Sequence, residues 1–166
     1  MLDRISTQLA ALHNVPEANA HCDIPCAIYD PAEAIIGALS VIRILDIMEE
    51  TAGKGEAGDL GRTNTLARCV VRKEQEAERV KHEIRIIWGD YFKGPHLESH
   101  PGIHELAHGI MVKGSACKQE ANRAQALELL ELVNQFAEAF WETKGVSTAR
   151  KVCPYPPALE VVYPLL

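Results

Sequence analysis

Residues 21–26 read His-Cys-Asp-Ile-Pro-Cys. Cys22 and Cys26 are separated by three residues, and Pro25 forces a turn between them, so a loop here can bring both sulfurs to one metal ion. Thiolates favour soft or borderline centres: copper(I), zinc, iron–sulfur clusters and thiolate-bound nickel. A structural zinc site needs two further ligands at suitable spacing, and none stands nearby. The same pair also reads as a peroxide-sensing dithiol.

The twenty residues before the hexapeptide change its chemistry. Leu2, Ile5, Leu9 and Leu12 fall on one helical face. Ala18-Asn19-Ala20 looks like an export cleavage site, but Asp3, Arg4, Ser6, Thr7 and Gln8 break the apolar run that a secretory signal needs. Residues 1–20 therefore read as a removable leader that does not direct export. Cleavage after Ala20 makes His21 the first residue. Its α-amine and imidazole, the Cys22 amide nitrogen and the two thiolates then converge on one point. An amine, a deprotonated amide and two thiolates make a square plane, which suits Ni(II) or Cu(II). The imidazole can approach axially, and the anionic donors stabilise a higher oxidation state of nickel.

Helices must carry this segment. Asp30 can cap the first, with Pro31 at its start and Glu33 three residues after the cap. Ile35, Ile36, Leu39, Ile42 and Leu45 recur at helical spacing to about Met48. A turn-rich loop at 53–61 precedes a second helix from about Thr63 to Tyr91. "KGPHLESHPG" breaks it. A third helix runs from about Pro101 to Met111 or a little beyond, and a fourth from about Glu120 to Thr143, stopped by Gly145. The tail from 145 to 166 holds four prolines and cannot be helical. The expected class is all-α: an antiparallel up-down four-helix bundle over 30–144, preceded by an N-terminal metal-binding hook at 21–29.

Bulk properties exclude several partners. The chain has 166 residues and a net charge of −6, so it carries no basic field for nucleic acid or an anionic membrane. No apolar run approaches the roughly 20 residues that span a bilayer. Five cysteines, an odd and scattered set, make no disulfide framework and point to a reducing, cytoplasmic setting. Cys69 and Cys117, among helix formers, read as buried small hydrophobes.

Three blocks carry a resemblance. "HCDIPCAIYDPA" (21–32), "KEQEAERVKHEIRIIWGDYFKGPH" (73–96) and "FWETK" (140–144) together resemble the nickel-containing superoxide dismutases, in the same order and over roughly residues 21 to 144. The resemblance implies dismutation of superoxide, 2 O₂⁻ + 2 H⁺ → O₂ + H₂O₂, with nickel alternating between Ni(II) and Ni(III). It implies that His21 supplies amine and axial imidazole, Cys22 amide nitrogen and thiolate, and Cys26 the second thiolate, with Pro25 setting the turn. Tyr29 and Tyr91 would stand at the mouth and hold solvent or substrate. Asp23 and Lys93 would lie beside the access path, where Lys93 steers an anion toward a net-negative protein. It also implies a leader-processing peptidase and a homohexamer, with helix ends and the tail as contact surfaces. Two departures stand out. Ala27 occupies a family glycine position, which suits alanine only at negative φ. Gly37 stands where the family has a glutamate that contacts the axial histidine, and Glu76 where it has arginine. On this reading the carboxylate has moved from one helix to the other.

Two other functions compete. A thiol-based nickel-binding or redox-sensing helical bundle would need only the two sulfurs and no free amine. "HELAH" (104–108) matches the H-E-x-x-H zinc-peptidase pattern on a helix. It lacks a marked third ligand, for which Glu128 or Glu131 are the downstream candidates, and no strand pattern is evident to hold an extended peptide. His82, His96 and His100 read as surface or interface residues.

Overall fold

The computed structural model describes residues 27–54 and 58–166. They form α1 (Ala32–Ala52), α2 (Leu60–Ile86), a π turn (Ile87–Tyr91), α3 (Pro95–Ser99), α4 (Ile103–Gln119) and α5 (Arg123–Thr143). A two-stranded hairpin follows, β1 (Thr148–Val152) and β2 (Glu160–Pro164). Among the described residues no helix is long and apolar enough to cross a membrane.

The predicted start signal of α1 acts through Asp30, whereas Glu33 turns to pair with Arg79. The Asp30 carboxylate accepts the Ala32 N–H at 2.8 Å as the chain enters α1 through Pro31. Asp59 caps α2 by accepting from Gly61 N, three residues earlier than periodicity alone suggests. Asn122 accepts from the N–H groups of Ala124 and Gln125 at the head of α5. Gly145 stops α5 at φ +70°, a left-handed turn that glycine adopts at little cost. α1 runs four residues past Met48, and α4 continues to Gln119. The expected break around 94–102 contains the short α3.

α1 and α4 each pack against both α2 and α5, so the four long helices close on one core. Ile42, Ile84, Ile110, Leu129, Val133 and Phe136 are fully enclosed there. Each contributes about 1.5–3 kcal/mol by leaving water. Two glycines let α2 sit deep. A Cβ on Gly37 of α1 would lie 2.8 Å from Val80 Cγ2, and one on Gly114 of α4 would lie 2.8 Å from Lys81 Cγ.

α2 also completes the end of α4. Lys73 is buried, and its ammonium donates to the carbonyls of Cys117, Lys118 and Glu120. These are orphan C-terminal acceptors at the negative end of the helix dipole. Burial lowers the Lys73 pKa, and the Coulombic pull of Cys117 opposes that shift. Burial likewise pushes the Cys117 thiol up to about 11, so this cysteine is the inert core group expected; Cys69 is only half-buried.

The tail corrects the all-α expectation. Its prolines do exclude helix, but they sit in the turn (154, 156, 157) and at the last strand position, where a missing N–H is tolerated. Between them the β-branched Val161 and Val162 form a strand and are buried. β1 and β2 pair antiparallel, Thr148 opposite Pro164 and Val152 opposite Glu160. Asn134 on α5 holds the hairpin down. Its Nδ2 donates to the Glu160 carbonyl at 3.2 Å, and its Oδ1 accepts from Val162 N at 3.1 Å. Arg150 forks onto Glu131 and Glu138 of the same helix.

Two expected outcomes follow from this packing. Lys73→Met leaves three α4 carbonyls without their donor and lowers the urea-unfolding free energy by about 1–3 kcal/mol; an unchanged midpoint would refute the cap. Glu78 accepts from Arg85 at 2.8 Å and from Lys118 of α4 at 3.0 Å. These bonds, Arg85's foremost, hold its carboxyl down at about 2, against 4.5 when free. The stabilisation from this depressed acid is fully present above 4.5 and is lost as pH falls to about 2. The melting-temperature gap between wild type and Glu78→Gln should therefore be flat above about pH 5 and close below it.

Candidate metal centre and its mouth

His21, Cys22, Asp23, Pro25 and Cys26 lie outside the described residues, as does the leader. The described chain begins at Ala27. Among the described residues, no three His, Cys, Asp or Glu side chains are grouped to hold a metal ion.

Ala27 has φ +56°, the left-handed region. The departure from glycine is therefore a strained one: an alanine Cβ there crowds the following carbonyl oxygen, at a cost of about 1–2 kcal/mol. Two residues later Tyr29 turns inward, and its ring lies 5.7 Å from that of Tyr91 at an angle of 51°. So the structure brings together the rings of the two tyrosines that the resemblance would place at a mouth. Lys93, the expected steering cation, is exposed two residues beyond Tyr91.

Tyr91 ends the π turn, where Phe92 N reaches back to Ile87 O at 3.3 Å. The wider turn inserts an extra residue into α2 and re-aims the side chains at its end. The Tyr91 ring stacks on His96 at 4.7 Å and packs on Phe140 at 4.9 Å. The Lys144 ammonium sits 4.5 Å from its centroid, a cation–π contact. Its hydroxyl meets Thr143 Oγ1 at 2.7 Å. Periodicity does not single out His96, Thr143 or Lys144. Their only sequence signal is that they fall at the ends of the "GPH" and "FWETK" blocks.

Glu76 is 3% exposed. Arg72 pairs with its Oε1 at 2.6 Å, an i,i+4 contact along α2. Arg79 Nε lies 3.0 Å from Oε2, close enough for charge attraction but misaligned, so both buried atoms lack a hydrogen bond. Glu76 stands opposite Gly37, with its carbonyl 3.4 Å from where a Cβ at 37 would be. A cleft of about 350 Å³ opens there, lined by Ile36, Ser40, Arg43 and Glu76 and by Tyr155 and Pro156 of the hairpin turn.

The peptidase pattern is dispersed into other bonds. His104 Nδ1 accepts from Trp88 Nε1 at 2.9 Å. Glu128 pairs with Lys113, and Glu131 with Arg150. His100 bonds Glu142 and Ser99.

A mostly helical protein in which the rings of Tyr29 and Tyr91 pack together is the class these features define. Residues 16–144 match the family described as nickel-containing superoxide dismutase. The chain is 39% identical over 126 residues to the nickel superoxide dismutase of Streptomyces coelicolor, covering 76% of this chain and 89% of that protein. It is 40% identical over 128 residues to the enzyme of Streptomyces seoulensis, covering 77% and 91%. The native nickel superoxide dismutase crystal structure superposes with a TM-score of 0.64 at 38% identity, covering 75% of this chain and 99% of that one. A structure with the nickel ligation of the oxidised state gives 0.65 at 39%, with the same coverage. The chain belongs to the nickel-containing superoxide dismutase family.

If Ala27 is strained as described, Ala27→Gly should raise the thermal midpoint of the protein by about 2–4 °C. A lower midpoint would show that the left-handed backbone costs nothing here.

Proposed function

We propose that this chain dismutates superoxide with nickel bound at residues 21–26, once residues 1–20 are removed. The family match over residues 16–144 supports the activity and the metal. The donors fit the ion chemically: two thiolates, an amine and an amide nitrogen are the anionic nitrogen–sulfur set that a nickel centre reaching Ni(III) requires. His21, Cys22 and Cys26 would hold it, with Pro25 turning the chain between the sulfurs. Nickel, when bound, supplies a one-electron couple.

The chain's own side chains do the rest. Glu76 is the carboxylate proposed to receive the N–H of the His21 imidazole. Among the described residues its Oε2 accepts no well-aligned hydrogen bond, although Arg79 Nε lies 3.0 Å away, which leaves room for a further donor. Six extended residues span up to about 20 Å, and Gly37 lies only about 8 Å along α1 from its start, so the reach is sufficient. Tyr29 and Tyr91 are proposed to hold small molecules at the mouth, with Asp23 and Lys93 along the access path and Lys93 supplying a local positive field on a protein of net charge −6.

The wider setting is also proposed: cytoplasmic, trimmed by a dedicated peptidase, and arranged as a four-helix bundle in a homohexamer. Ile36, Val70 and Val71 on the outer face of α1 and α2 are 42%, 40% and 56% exposed, which suits contact between copies.

The leader is the test. With Met1–Ala20 attached, the His21 nitrogen is an amide that gives up its proton far less readily than an ammonium does. Untrimmed protein should bind nickel weakly and show negligible activity, and trimming to His21 should restore both. Cys22→Ser or Cys26→Ser should abolish the nickel–thiolate absorption of the trimmed chain. Equal dismutase activity in untrimmed and trimmed protein would exclude the amine as ligand and favour the thiol-only nickel carrier.

A further inference from the structure

The bonds around Tyr91 determine where its phenolic proton points. Thr143 Oγ1 lies 2.6 Å from the Phe140 carbonyl, one turn back in α5. A carbonyl oxygen only accepts, so the single threonine hydrogen is spent there. The same Oγ1 lies 2.7 Å from the Tyr91 hydroxyl. With its hydrogen already committed, Thr143 meets Tyr91 as an acceptor, and Tyr91 donates. His96 stacks on its ring, Phe140 packs on it, and the Lys144 ammonium lies 4.5 Å from its centroid.

We propose that Thr143 is a positioning residue that directs the Tyr91 proton into α5, so that Tyr91 presents only lone pairs to the mouth it shares with Tyr29. This rests on the reading of Tyr91 as a mouth residue and deepens it by naming what the phenol can hold. An oxygen offering lone pairs accepts hydrogen bonds. It holds a proton-bearing molecule, such as water or hydrogen peroxide, and repels an oxyanion. The superoxide anion itself must then be drawn in by cationic groups such as Lys93, and Tyr91 acts on the protonated side of the reaction.

Ultraviolet resonance Raman spectroscopy reads the arrangement directly, because the intensity ratio of the tyrosine Fermi doublet differs between phenols that donate and phenols that only accept. The chain has four tyrosines, so the Tyr91 signal is the difference between wild-type and Tyr91→Phe spectra of the trimmed protein. The expected doublet is that of a donor. It should change in Thr143→Val, which is nearly the same shape and leaves the phenol to exchange hydrogen bonds with solvent, and stay in place in Thr143→Ser, which keeps the hydroxyl. In the nickel-loaded trimmed enzyme, Thr143→Val frees the phenol proton to meet an anion, so the inhibition constant for azide should fall about fivefold, the value of one hydrogen bond. An acceptor-type doublet in wild type, the same doublet in Thr143→Val, or an azide constant indifferent to that substitution would each overturn the proposal. The Raman measurement needs no nickel. Trimmed protein that shows the donor doublet but no dismutase activity would thus refute the proposed function and leave the proton's direction standing.

Discussion

The position of α2 is the constraint on which the rest of the structure depends. This helix is gripped from two sides at nearly the same level. Gly37 of α1 meets it at Val80 and Gly114 of α4 meets it at Lys81, and a Cβ at either position would come within 2.8 Å of its neighbour. Because interiors are close-packed, a single methyl at Gly37 would move backbone rather than fill a void. The depth of α2 then has two consequences. Lys73 reaches under α4 and closes its last carbonyls. Glu76 is carried out of water to a place directly across from α1, with one oxygen left unsatisfied.

The far end of the same helix holds Tyr91. A regular α-helix through residues 87–91 would point Tyr91 elsewhere. The π turn spends one extra residue and lets the ring pack among His96, Phe140 and Lys144. Such wide turns are poor local structure and persist where tertiary contacts compensate. Here the compensation is aromatic packing plus the hydrogen bond to Thr143. Strain at Ala27 belongs to the same economy of position: the chain accepts a left-handed alanine just before Tyr29 turns inward.

The hairpin lies beyond residues 16–144, the stretch that matches the family. It is fastened to α5 by one buried amide, Asn134, and by the fork of Arg150. Its turn brings Tyr155 and Pro156 to the cleft beside Glu76. The bonds that dock it join residues on α5 to partners well along the chain, so no local pattern announced them. The valines did carry a strand preference, but between prolines it read only as an absence of helix.

The sequence by itself determined that four long segments become helices, and at α1 where the helix begins, because Asp30 satisfies an N–H two residues on; the caps at Asp59 and Asn122 are equally local but showed only in the structure. It also determined the donor chemistry of residues 21–26, because thiolate, amine and imidazole keep their character in any fold. The apposition of Tyr29 with Tyr91, the burial of Glu76 opposite Gly37 and the direction of the Tyr91 proton were decided only by tertiary structure. Each depends on distances between residues far apart in the chain. Those distances are set by how closely two helices approach and by one extra residue in a turn, quantities that no local pattern of side chains encodes.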